Sequence, residues 1–379
     1  MSRDIKPFDQ PVYVTRPMFP EFSDYTEKLR EIWDAQWLSN GGMQHQKLEA
    51  ALSEFLRSQH LSLFTNGTIA LIVACQALRL SGEVIVTPFT FPATPHVLSW
   101  NNISPVFADI DPVTMNLDPN GIERLITNKT SAILAVHVYG TPCDVHAIQR
   151  IADVHGLRVI YDAAHAFGSE VDGAPIASFG DATMFSFHAT KLFHTAEGGA
   201  LVVQNEEVKK RVDLLKNFGI KSEFEVIMPG INGKMNEIQA AMGLTVLKMV
   251  DDEREKRREI ARIYNNHLSE IEGIDLPISV NLHSSSMQYY TIRVSKDRCR
   301  RDRDYVYEKL REYNVYSRKY FFPLCSDYSC YRMLPSASAE NLPVAHKAAQ
   351  EVLCLPFYSS LGVDKAEIIC NMIKKIVAE

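Results

Sequence analysis

The feature that most constrains the fold is an alternation of short apolar runs with amphipathic stretches between residues 61 and 204. Helical patterns at 68–80 and 144–156 separate some of the runs, and Gly156 lies where the second helix should end. The runs, rich in β-branched and aromatic residues and predicted to be strands, are SLF (62–64), EVIVTP (83–88), PVFADI (105–110), AILAVHVY (132–139), RVIYDAA (158–164), ATMFSF (182–187) and ALVVQ (200–204). Apolar strands interleaved with helices predict an α/β fold with a mostly parallel sheet covered on both faces.

The pattern changes near residue 245. Residues 246–271 have helical periodicity over more turns than any other segment, and shorter elements follow, with a strand at 288–295 and helices at 304–313 and 364–378. We therefore predict a large domain over residues 1–245, which includes the N-terminal segment, and a smaller C-terminal α+β domain over residues 246–379.

Composition and charge exclude several classes of protein. The 379 residues carry a formal net charge of -6, whereas proteins that bind nucleic acid or anionic membranes present an excess of Lys and Arg. No run approaches the ~18 apolar residues of a membrane span, and the N-terminus lacks the apolar stretch of a signal peptide. The seven cysteines are scattered and form no C-x-x-C pair, which is typical of reduced thiols. We expect a soluble cytoplasmic protein.

Ligands of open α/β sheets bind at the carboxyl ends of the strands, so the residues that follow each strand are candidates for the site. NGT at 66–68 precedes a helix, and the free N–H groups of a helix N-terminus together with Gly67 and Thr68 favour an anion. The chain has no G-x-x-x-x-G-K-[ST] loop, which argues against the phosphates of ATP. An ordinary turn and helix cap explains NGT equally well when it is taken alone.

Three further strand ends carry chemical groups. Phe91, in FTFPAT, could cover a flat heterocycle or belong to the core. Asp162 follows an apolar run, where a carboxylate needs a cation or hydrogen-bond donors; a structural cap is an alternative, and a metal is disfavoured because only His165 lies at ligand spacing. Lys191, in SFHATKLFHTAEGG, is either a surface lysine or, if desolvated, a nucleophile for carbonyls.

Taken together, these groups match the needs of pyridoxal 5'-phosphate (PLP). Its aldehyde needs a lysine, its phosphate needs N–H groups and hydroxyls, its ring needs a covering face, and its pyridine nitrogen needs a carboxylate. We therefore predict PLP as the cofactor, with Lys191 as the residue that forms a Schiff base with it. No metal is expected.

Motifs along nearly the whole chain resemble those of the DegT/StrS sugar aminotransferases, which have the aspartate-aminotransferase fold (type I). The motifs include WLSNGGMQHQKLEAALSEFL (37–56), NGTIAL, HVYGTPCDV (137–145), VIYDAAHAFG, SFHATKLFHTAEGGALV and GINGKMNEIQAAMGLTVL (230–247). The resemblance implies that Lys191 is the Schiff-base lysine, Asp162 the partner of the pyridine nitrogen, His165 a neighbour of the ring hydroxyl and Phe91 the stacking aromatic. It implies phosphate contacts from Gly67, Thr68 and Ser186, and from Asn232 of the neighbouring subunit, hence a homodimer with shared active sites.

The resemblance also implies a reaction, the ping-pong transfer of the amino group of L-glutamate to a nucleotide-linked ketosugar. The D-x-A-H and SFHATK variants look most like those of two kinds of enzyme, which make dTDP-4-amino-4,6-dideoxyglucose and GDP-perosamine. NGT, WNNISPVF and SFHATK resemble the first kind more closely, so the expected reaction is amination of C4 of dTDP-4-dehydro-6-deoxyglucose for O-antigen or other glycan synthesis. Alternatives are a GDP-perosamine type of enzyme and a 3-ketosugar aminotransferase. His188, Arg318 and Tyr320 lie beside matched motifs and are candidates for holding the substrates, although packing or surface roles explain them equally well.

Three departures from the family pattern affect the substrate and not the reaction class. Lys234 replaces a common arginine, Cys325 stands where a histidine is frequent, and GGMQH at 41–45 replaces GPYV. Two rival functions are a lyase or dehydratase of the same fold and a non-catalytic PLP-binding regulator. Related dehydratases have histidine where Lys191 stands, and a regulator would not need Ser186, Asp162 and Lys191 together.

Overall fold

The computed structural model describes residues 5–276 and 285–379. The helices are α1 (Phe22–Ala35), α2 (Met43–Phe55), α3 (Gly67–Ala77), α4 (Ala93–Trp100), α5 (Val145–His155), α6 (Glu206–Leu215), α7 (Glu237–Leu247), α8 (Val250–Leu268), α9 (Arg303–Glu312), α10 (Pro343–Glu351) and α11 (Val363–Ala378). The strands are β1 (Val12–Tyr13), β2 (Leu61–Phe64), β3 (Glu83–Val86), β4 (Ser104–Phe107), β5 (Thr130–Val136), β6 (Arg158–Asp162), β7 (Glu170–Val171), β8 (Ala174–Pro175), β9 (Ala182–Ser186), β10 (Gly199–Val203), β11 (Ile220–Ser222), β12 (Glu225–Val226), β13 (Ile274–Asp275), β14 (Tyr290–Val294), β15 (Val315–Tyr316) and β16 (Val352–Leu355).

A seven-stranded sheet with the order β2-β10-β9-β6-β5-β3-β4 forms the centre of the fold. Strands β9, β6, β5, β3 and β4 run parallel to one another, whereas β10 is antiparallel to both β2 and β9. Each of the seven strands overlaps a run predicted from the sequence, with ends that differ by a few residues. The predicted mostly parallel α/β sheet is confirmed.

Helices cover both faces of this sheet. Alternate side chains of β3 point to opposite faces: Val84 and Val86 belong to the cluster that contains α3 residues, and Ile85 to the cluster that contains α2 and α5 residues. All three are fully buried, as expected for a central parallel strand. The carboxyl ends of the parallel strands therefore meet at one edge of a fully covered sheet.

The C-terminal part contains an antiparallel sheet with the order β13-β14-β16, packed with α8, α9 and α11 around a third apolar cluster. The prediction of one long helix over residues 246–271 was wrong at its start, because α7 ends at Leu247 and α8 begins at Val250. Asp251, Asp252 and Glu253 occupy the first turn of α8, where acidic side chains favour a helix N-terminus. The domain boundary at residue 245 stays a prediction.

Within residues 5–276 and 285–379, no helix combines the length and the apolar character needed to cross a bilayer.

Candidate active site

A cavity of about 540 Å³ lies at the carboxyl ends of β6 and β9, beside the N-terminus of α3. The residues predicted for the site that line it are Gly67, Thr68, Phe91, Asp162, His165, Ser186, His188, Lys191 and Tyr320. Arg318 and Asn232 are exposed and lie outside this lining. The fold thus brings nine of the eleven predicted residues to one cavity.

Lys191 lies in the connection between β9 and the antiparallel β10, and its side chain is only partly exposed. Its backbone N–H donates to the carbonyl of His188 at 2.9 Å, and its Nζ lies 5.9 Å from the centre of the Tyr289 ring. Burial lowers the pKa of Lys191 to about 8, although the charge of Asp162 opposes the shift. A lysine in this environment loses its proton far more readily than a surface lysine does.

Asp162, the last residue of β6, is buried at the base of the cavity. Its Oδ2 accepts from the Oγ1 of Thr94 at 2.7 Å, and its Oδ1 accepts from the N–H of Ala164 at 3.0 Å. Burial raises the pKa of Asp162 above its ordinary value, and the two donors and Lys191 oppose this rise. A buried carboxylate whose pKa stays raised despite these groups is suited to a cationic ring nitrogen. Thr94 was not predicted from the sequence.

The N-terminus of α3 forms an anion cradle with the end of β9. Asn66 caps the helix, since its Oδ1 accepts from the N–H of Ile69 at 2.9 Å. A Cβ on Gly67 would lie 2.9 Å from the Sδ of Met184 and 3.2 Å from the Cβ of Ser186. Glycine is therefore needed for the close approach of helix and strand, which puts Gly67, Thr68 and the Ser186 hydroxyl around one point. This arrangement fits a phosphate group.

His165 faces an aromatic wall. Its ring stacks on Phe321 at 5.8 Å between centres and meets the ring of Tyr289 edge-on at 5.1 Å. Burial, and to a lesser extent Lys191, lowers its pKa well below 6.5, so the imidazole is neutral. Its buried Nδ1 has no hydrogen-bond partner among the described residues, and an unpaired buried nitrogen fits a ring hydroxyl of a ligand.

The two phenylalanines of FTFPAT have different roles. Phe89 is fully buried and contacts Phe321 edge-on at 5.6 Å. Phe91 is 58% exposed and lines the cavity, so the core alternative for Phe91 was wrong. An exposed ring at the cavity can cover one face of a flat heterocycle.

The three candidates for substrate contacts are separated by the fold. His188 lines the cavity with its Nδ1 2.8 Å from the Oγ1 of Thr190 and its Nε2 3.6 Å from the Oε1 of Glu197. Tyr320 lines it as well, whereas the Arg318 side chain is exposed and its backbone pairs with Cys354. A direct role in this cavity is thus better supported for His188 and Tyr320 than for Arg318.

Sequence reasoning missed the members of the site that come from distant segments. Tyr289 and Phe321 line the cavity, and Gln288 binds the loop of Lys191. They follow no strand of the main sheet, so position after a strand could not identify them. Thr94 could have been found from its place in the FTFPAT motif, four residues after Thr90.

These observations test whether the residues fit PLP, and they do: a lysine with a lowered pKa, a buried acid, an unpaired imidazole nitrogen and an anion cradle share one cavity. In the described part of the chain, no group of three or more His, Cys, Asp or Glu side chains could hold a metal ion.

Comparison with known proteins agrees with this geometry. Residues 21–374 match the DegT/DnrJ/EryC1/StrS aminotransferase family. The chain is 46% identical over 375 residues to the dTDP-4-amino-4,6-dideoxy-D-glucose transaminase of Escherichia coli, covering 98% of this chain and 99% of that protein. It superposes with a TM-score of 0.94 and 37% identity on DesI, solved in the presence of its TDP-sugar product, covering 99% and 95% of the two chains.

A third relative bears on the cofactor. The structure of NtdA from Bacillus subtilis, solved with bound pyridoxamine phosphate, superposes with a TM-score of 0.85 and 28% identity over 94% of this chain and 82% of that one. The type I aminotransferase fold, the PLP cofactor and the reaction class expected from the sequence are thereby confirmed. The chain belongs to the DegT/DnrJ/EryC1/StrS family of PLP-dependent aminotransferases.

Proposed function

We propose that the protein transfers the amino group of L-glutamate to C4 of dTDP-4-dehydro-6-deoxy-D-glucose and so forms dTDP-4-amino-4,6-dideoxy-D-glucose. The observation that carries this assignment is the 46% identity, over nearly the full length of both chains, to the E. coli transaminase named for that amino sugar. The presence of both Lys191 and Asp162 in the lining of the cavity supports amino transfer over a purely regulatory role.

PLP, when bound, supplies an aldehyde for amine exchange and a ring that withdraws electrons from the carbon that loses a proton. Gly67, Thr68 and Ser186 hold its phosphate at the N-terminus of α3. The carboxylate of Asp162 keeps a positive charge on the ring nitrogen, and Thr94 and Ala164 orient that carboxylate by the two hydrogen bonds described above. His165 and Phe91 fix the orientation of the ring.

Lys191 moves the proton. Because its pKa is lowered to about 8, about a tenth of its Nζ is unprotonated at pH 7, far more than for a lysine with an ordinary pKa. The free amine takes the proton from the α-carbon of glutamate and holds it close to the reacting atoms. The wall of Tyr289, Phe321 and His165 limits the access of water on this side of the cavity.

The sugar nucleotide and the glutamate carboxylate need polar partners at the mouth of the cavity. His188 and Tyr320 line this region and are proposed as contacts. Arg318 is also proposed as a contact. Burial raises the pKa of Tyr320 and the charge of Arg318 opposes this rise, so the two side chains are near neighbours.

We further propose that the protein is a homodimer in which Asn232 reaches the phosphate bound by the other subunit. In its own subunit Asn232 is exposed, and its Oδ1 accepts from the Nζ of Lys234 at 3.0 Å, outside the cavity lining. The segment beside it exposes the apolar side chains Phe218, Ile220, Phe224, Val226, Ile227 and Ile231, with the charged Lys221, Glu223 and Glu225 among them. Exposed large apolar side chains in such number are typical of a protein interface, and a two-fold dimer would bury them twice.

The substrate assignment is tested by incubating the protein with glutamate and a panel of dTDP- and GDP-linked ketosugars. We expect 2-oxoglutarate to form only with dTDP-4-dehydro-6-deoxyglucose, and NMR of the product to place the amine at C4. Preference for a GDP-sugar, or amination at C3, would establish one of the alternatives. Stoichiometric binding without turnover would support the regulator.

The shared site is tested by mixing Lys191→Ala subunits with Asn232→Asp subunits. If Asn232 acts across the interface, one site of a mixed dimer collects both changes and the other collects neither, so activity should return toward half of the wild-type value per mixed dimer. Mixed dimers that recover nothing although subunits exchange would place Asn232 in its own subunit's site.

A cytoplasmic location is also part of the proposal. All seven cysteines are free thiols, and six of them are buried. Fractionation of the producing cells would check it, and recovery with an exported fraction would contradict it.

A further inference from the structure

The loop that carries Lys191 is held by the side chain of Gln288. The Oε1 of Gln288 accepts from the N–H of Leu192 at 2.7 Å, and its Nε2 donates to the carbonyl of Thr190 at 2.9 Å. The side chain is 1% exposed, so water does not compete for these bonds. One amide therefore satisfies a peptide group on each side of Lys191.

Gln288 is itself fixed by α8. The Nη1 of Arg257 donates to the carbonyl of Met287 at 3.0 Å, and the Nε of Arg257 donates to the Oε1 of Glu253 at 2.7 Å. Met287 has a φ of 58°, a left-handed conformation that is uncommon for a residue other than glycine and persists where the surroundings enforce it. The backbone that points Gln288 at the loop is thus held by a buried ion pair.

The same segment, residues 285–289, contacts other parts of the site. The Oγ of Ser286 donates to the carbonyl of His165, and the ring of Tyr289 lies beside the Nζ of Lys191. A Cβ on Gly140 would lie 2.0 Å from the Oγ of Ser286, so Gly140 is needed for this approach. The segment therefore connects α8 with the loops of both Lys191 and His165.

We propose that Gln288 is a positioning residue for the amino-transfer reaction: its amide fixes the peptide groups on either side of Lys191 and so holds the Nζ inside the cavity. The inference rests on the proposed role of Lys191. Gln288 acts through that lysine, because its amide bonds to Thr190 and Leu192, interacts with Tyr289 beside the lysine, and is itself absent from the cavity lining. Without it, the loop can carry the amine toward solvent.

Two substitutions separate this role from simple packing. Gln288→Met keeps the size of the side chain and removes both hydrogen bonds. Gln288→Glu keeps both while the carboxyl is protonated, since the O–H can donate to Thr190 and the C=O can accept from Leu192. Once ionised, the same carboxylate has no hydrogen to donate, and its negative charge repels the carbonyl oxygen of Thr190. Gln288→Glu should therefore work at low pH and fail at high pH.

The first measurement is the pH dependence with which acetic anhydride labels Lys191 in the full-length chain freed of PLP, followed by peptide mass spectrometry. We expect a midpoint near the pKa of about 8 in the wild type. In Gln288→Met the midpoint should rise by about 1 pH unit or more, because an amine that reaches water regains its ordinary pKa.

The second measurement is steady-state kinetics of the PLP-loaded enzyme. Gln288→Met should lower kcat by about 10-fold or more while KM for glutamate changes by less than about 3-fold, since a misplaced base affects the proton transfer more than binding. The ratio of Gln288→Glu to wild-type kcat should be near unity at pH 6 and fall toward the Gln288→Met ratio at pH 9.

Asn116→Leu is the matched control. Asn116 is another buried amide that joins two segments, donating to Pro142 at 2.9 Å and accepting from Val138 at 2.8 Å, and it lies outside the cavity lining. Its loss should lower Tm without moving the midpoint of Lys191 labelling.

Two results would overturn the positioning role: an unchanged midpoint in Gln288→Met, or a Gln288→Glu ratio that is constant with pH. The second remains decisive if Gln288→Met fails to fold. Failure of the proposed function would look different, because the wild-type protein itself would then show no transamination.

Discussion

Two cavities of nearly the same volume differ in the charged groups that line them, so volume alone does not identify a functional site. The active-site cavity measures about 540 Å³, and a second one of about 550 Å³ lies between α2, α6 and the segment that follows β12. We call the second one the lysine-rich cavity; it is lined by Asn40, Gly41, His45, Gln46, Glu49, Ala50, Ser53, Lys209, Asp213, Lys216, Asn217 and Lys234.

Two of the three lysines of the lysine-rich cavity, Lys209 and Lys216, are paired with acids. The Nζ of Lys209 lies 2.8 Å from the Oδ2 of Asp213 and 3.3 Å from the Oε1 of Glu49, and the Nζ of Lys216 lies 2.9 Å from the Oδ1 of Asp213. In the active-site cavity, within the part of the chain that the structure describes, the Nζ of Lys191 has no ion pair within 4.0 Å.

Among the described residues, Lys234 of the lysine-rich cavity also lacks an ion pair within 4.0 Å, and burial and Lys216 lower its pKa. The comparison teaches that an unpaired lysine indicates a site when other suitable groups share its cavity, here Asp162 and the unpaired nitrogen of His165.

The largest effect should come from removing the lysine of each cavity in turn. Lys191→Ala removes the proposed proton carrier, which is also the amine proposed to bind the cofactor aldehyde, so turnover should fall by more than the ~10⁴-fold that a single general base provides. Lys209→Ala removes only paired charges and should leave kcat within about 3-fold, since ion pairs at partly exposed positions contribute little. Steady-state assays of both variants check this, and comparable losses would break the comparison.

Asp162→Asn should have the next largest effect. The amide cannot keep a positive charge on the ring nitrogen, so both half-reactions should slow together, by about 10²-fold or more, as when a preorganised electrostatic group is removed. Stopped-flow measurement of each half-reaction is the check. Slowing of one half-reaction alone would make Asp162 a substrate contact.

Thr94→Val should shift the pH profile. A hydrogen bond to the ionised carboxylate lowers the pKa of Asp162, so its loss adds to the rise that burial already causes. The protonated, inactive carboxyl should therefore persist to higher pH, and kcat/KM for glutamate should decline at a higher pH than in the wild type as the medium is acidified. An unchanged acidic limb would mean that Thr94 does not control this carboxylate.

The smallest effect should come from Asp213→Asn in the lysine-rich cavity. Burial opposes ionisation of Asp213, but Lys216, Lys209 and two hydrogen bonds lower its pKa below the ordinary value. Its charge therefore stabilises the fold above the unfolded-state pKa, and that contribution is lost as pH falls through the lower folded-state value. We expect the variant to lose about 1 kcal/mol at pH 7, the upper range for a partly exposed pair, and to show a weaker acid dependence of unfolding.

Urea denaturation between pH 2.5 and 7 measures that effect. The kcat should stay within about 2-fold of the wild type, because Ser62, Lys209 and Lys216, which bond to Asp213, are absent from the lining of the active-site cavity. A large loss of turnover would show that the lysine-rich cavity serves the reaction.

Much of the fold could be predicted because its signals are local. The strands of the main sheet are apolar runs, and Gly156 ends α5 in the left-handed conformation expected of a helix C-terminus. The antiparallel direction of β10 could not be predicted, since an apolar run has the same composition in either direction. The break at residues 248–249 was missed because apolar periodicity continues across it, although the acidic turn of α8 was a usable signal.

The residues of the site likewise include some that local sequence could predict and some that it could not. Asp162 and Lys191 follow strands and could be found from position and residue type, whereas Tyr289 and Gln288 reach the lysine from a segment nearly a hundred positions away in the sequence. Contacts of that range leave no periodic pattern. Arg318 shows the opposite limit: its place beside a family motif identified it, but it lies outside the lining of the cavity. Asn232 was expected to act in the neighbouring subunit, and that role stays a prediction.

The reversed direction of β10 has a consequence for the order of assembly. Because β10 is antiparallel to β9, Ser186 pairs with Gly199 across a short connection, and that connection carries Lys191. The partner on the other side is distant along the chain, since Leu63 pairs with Ala200, and this pairing joins β2, which leads into α3, to the strand that follows the lysine. Short loops close much sooner than long ones. During refolding, the loop that carries Lys191 should therefore form early and the proposed phosphate site should form late. Binding of the cofactor should then report the completion of the native topology.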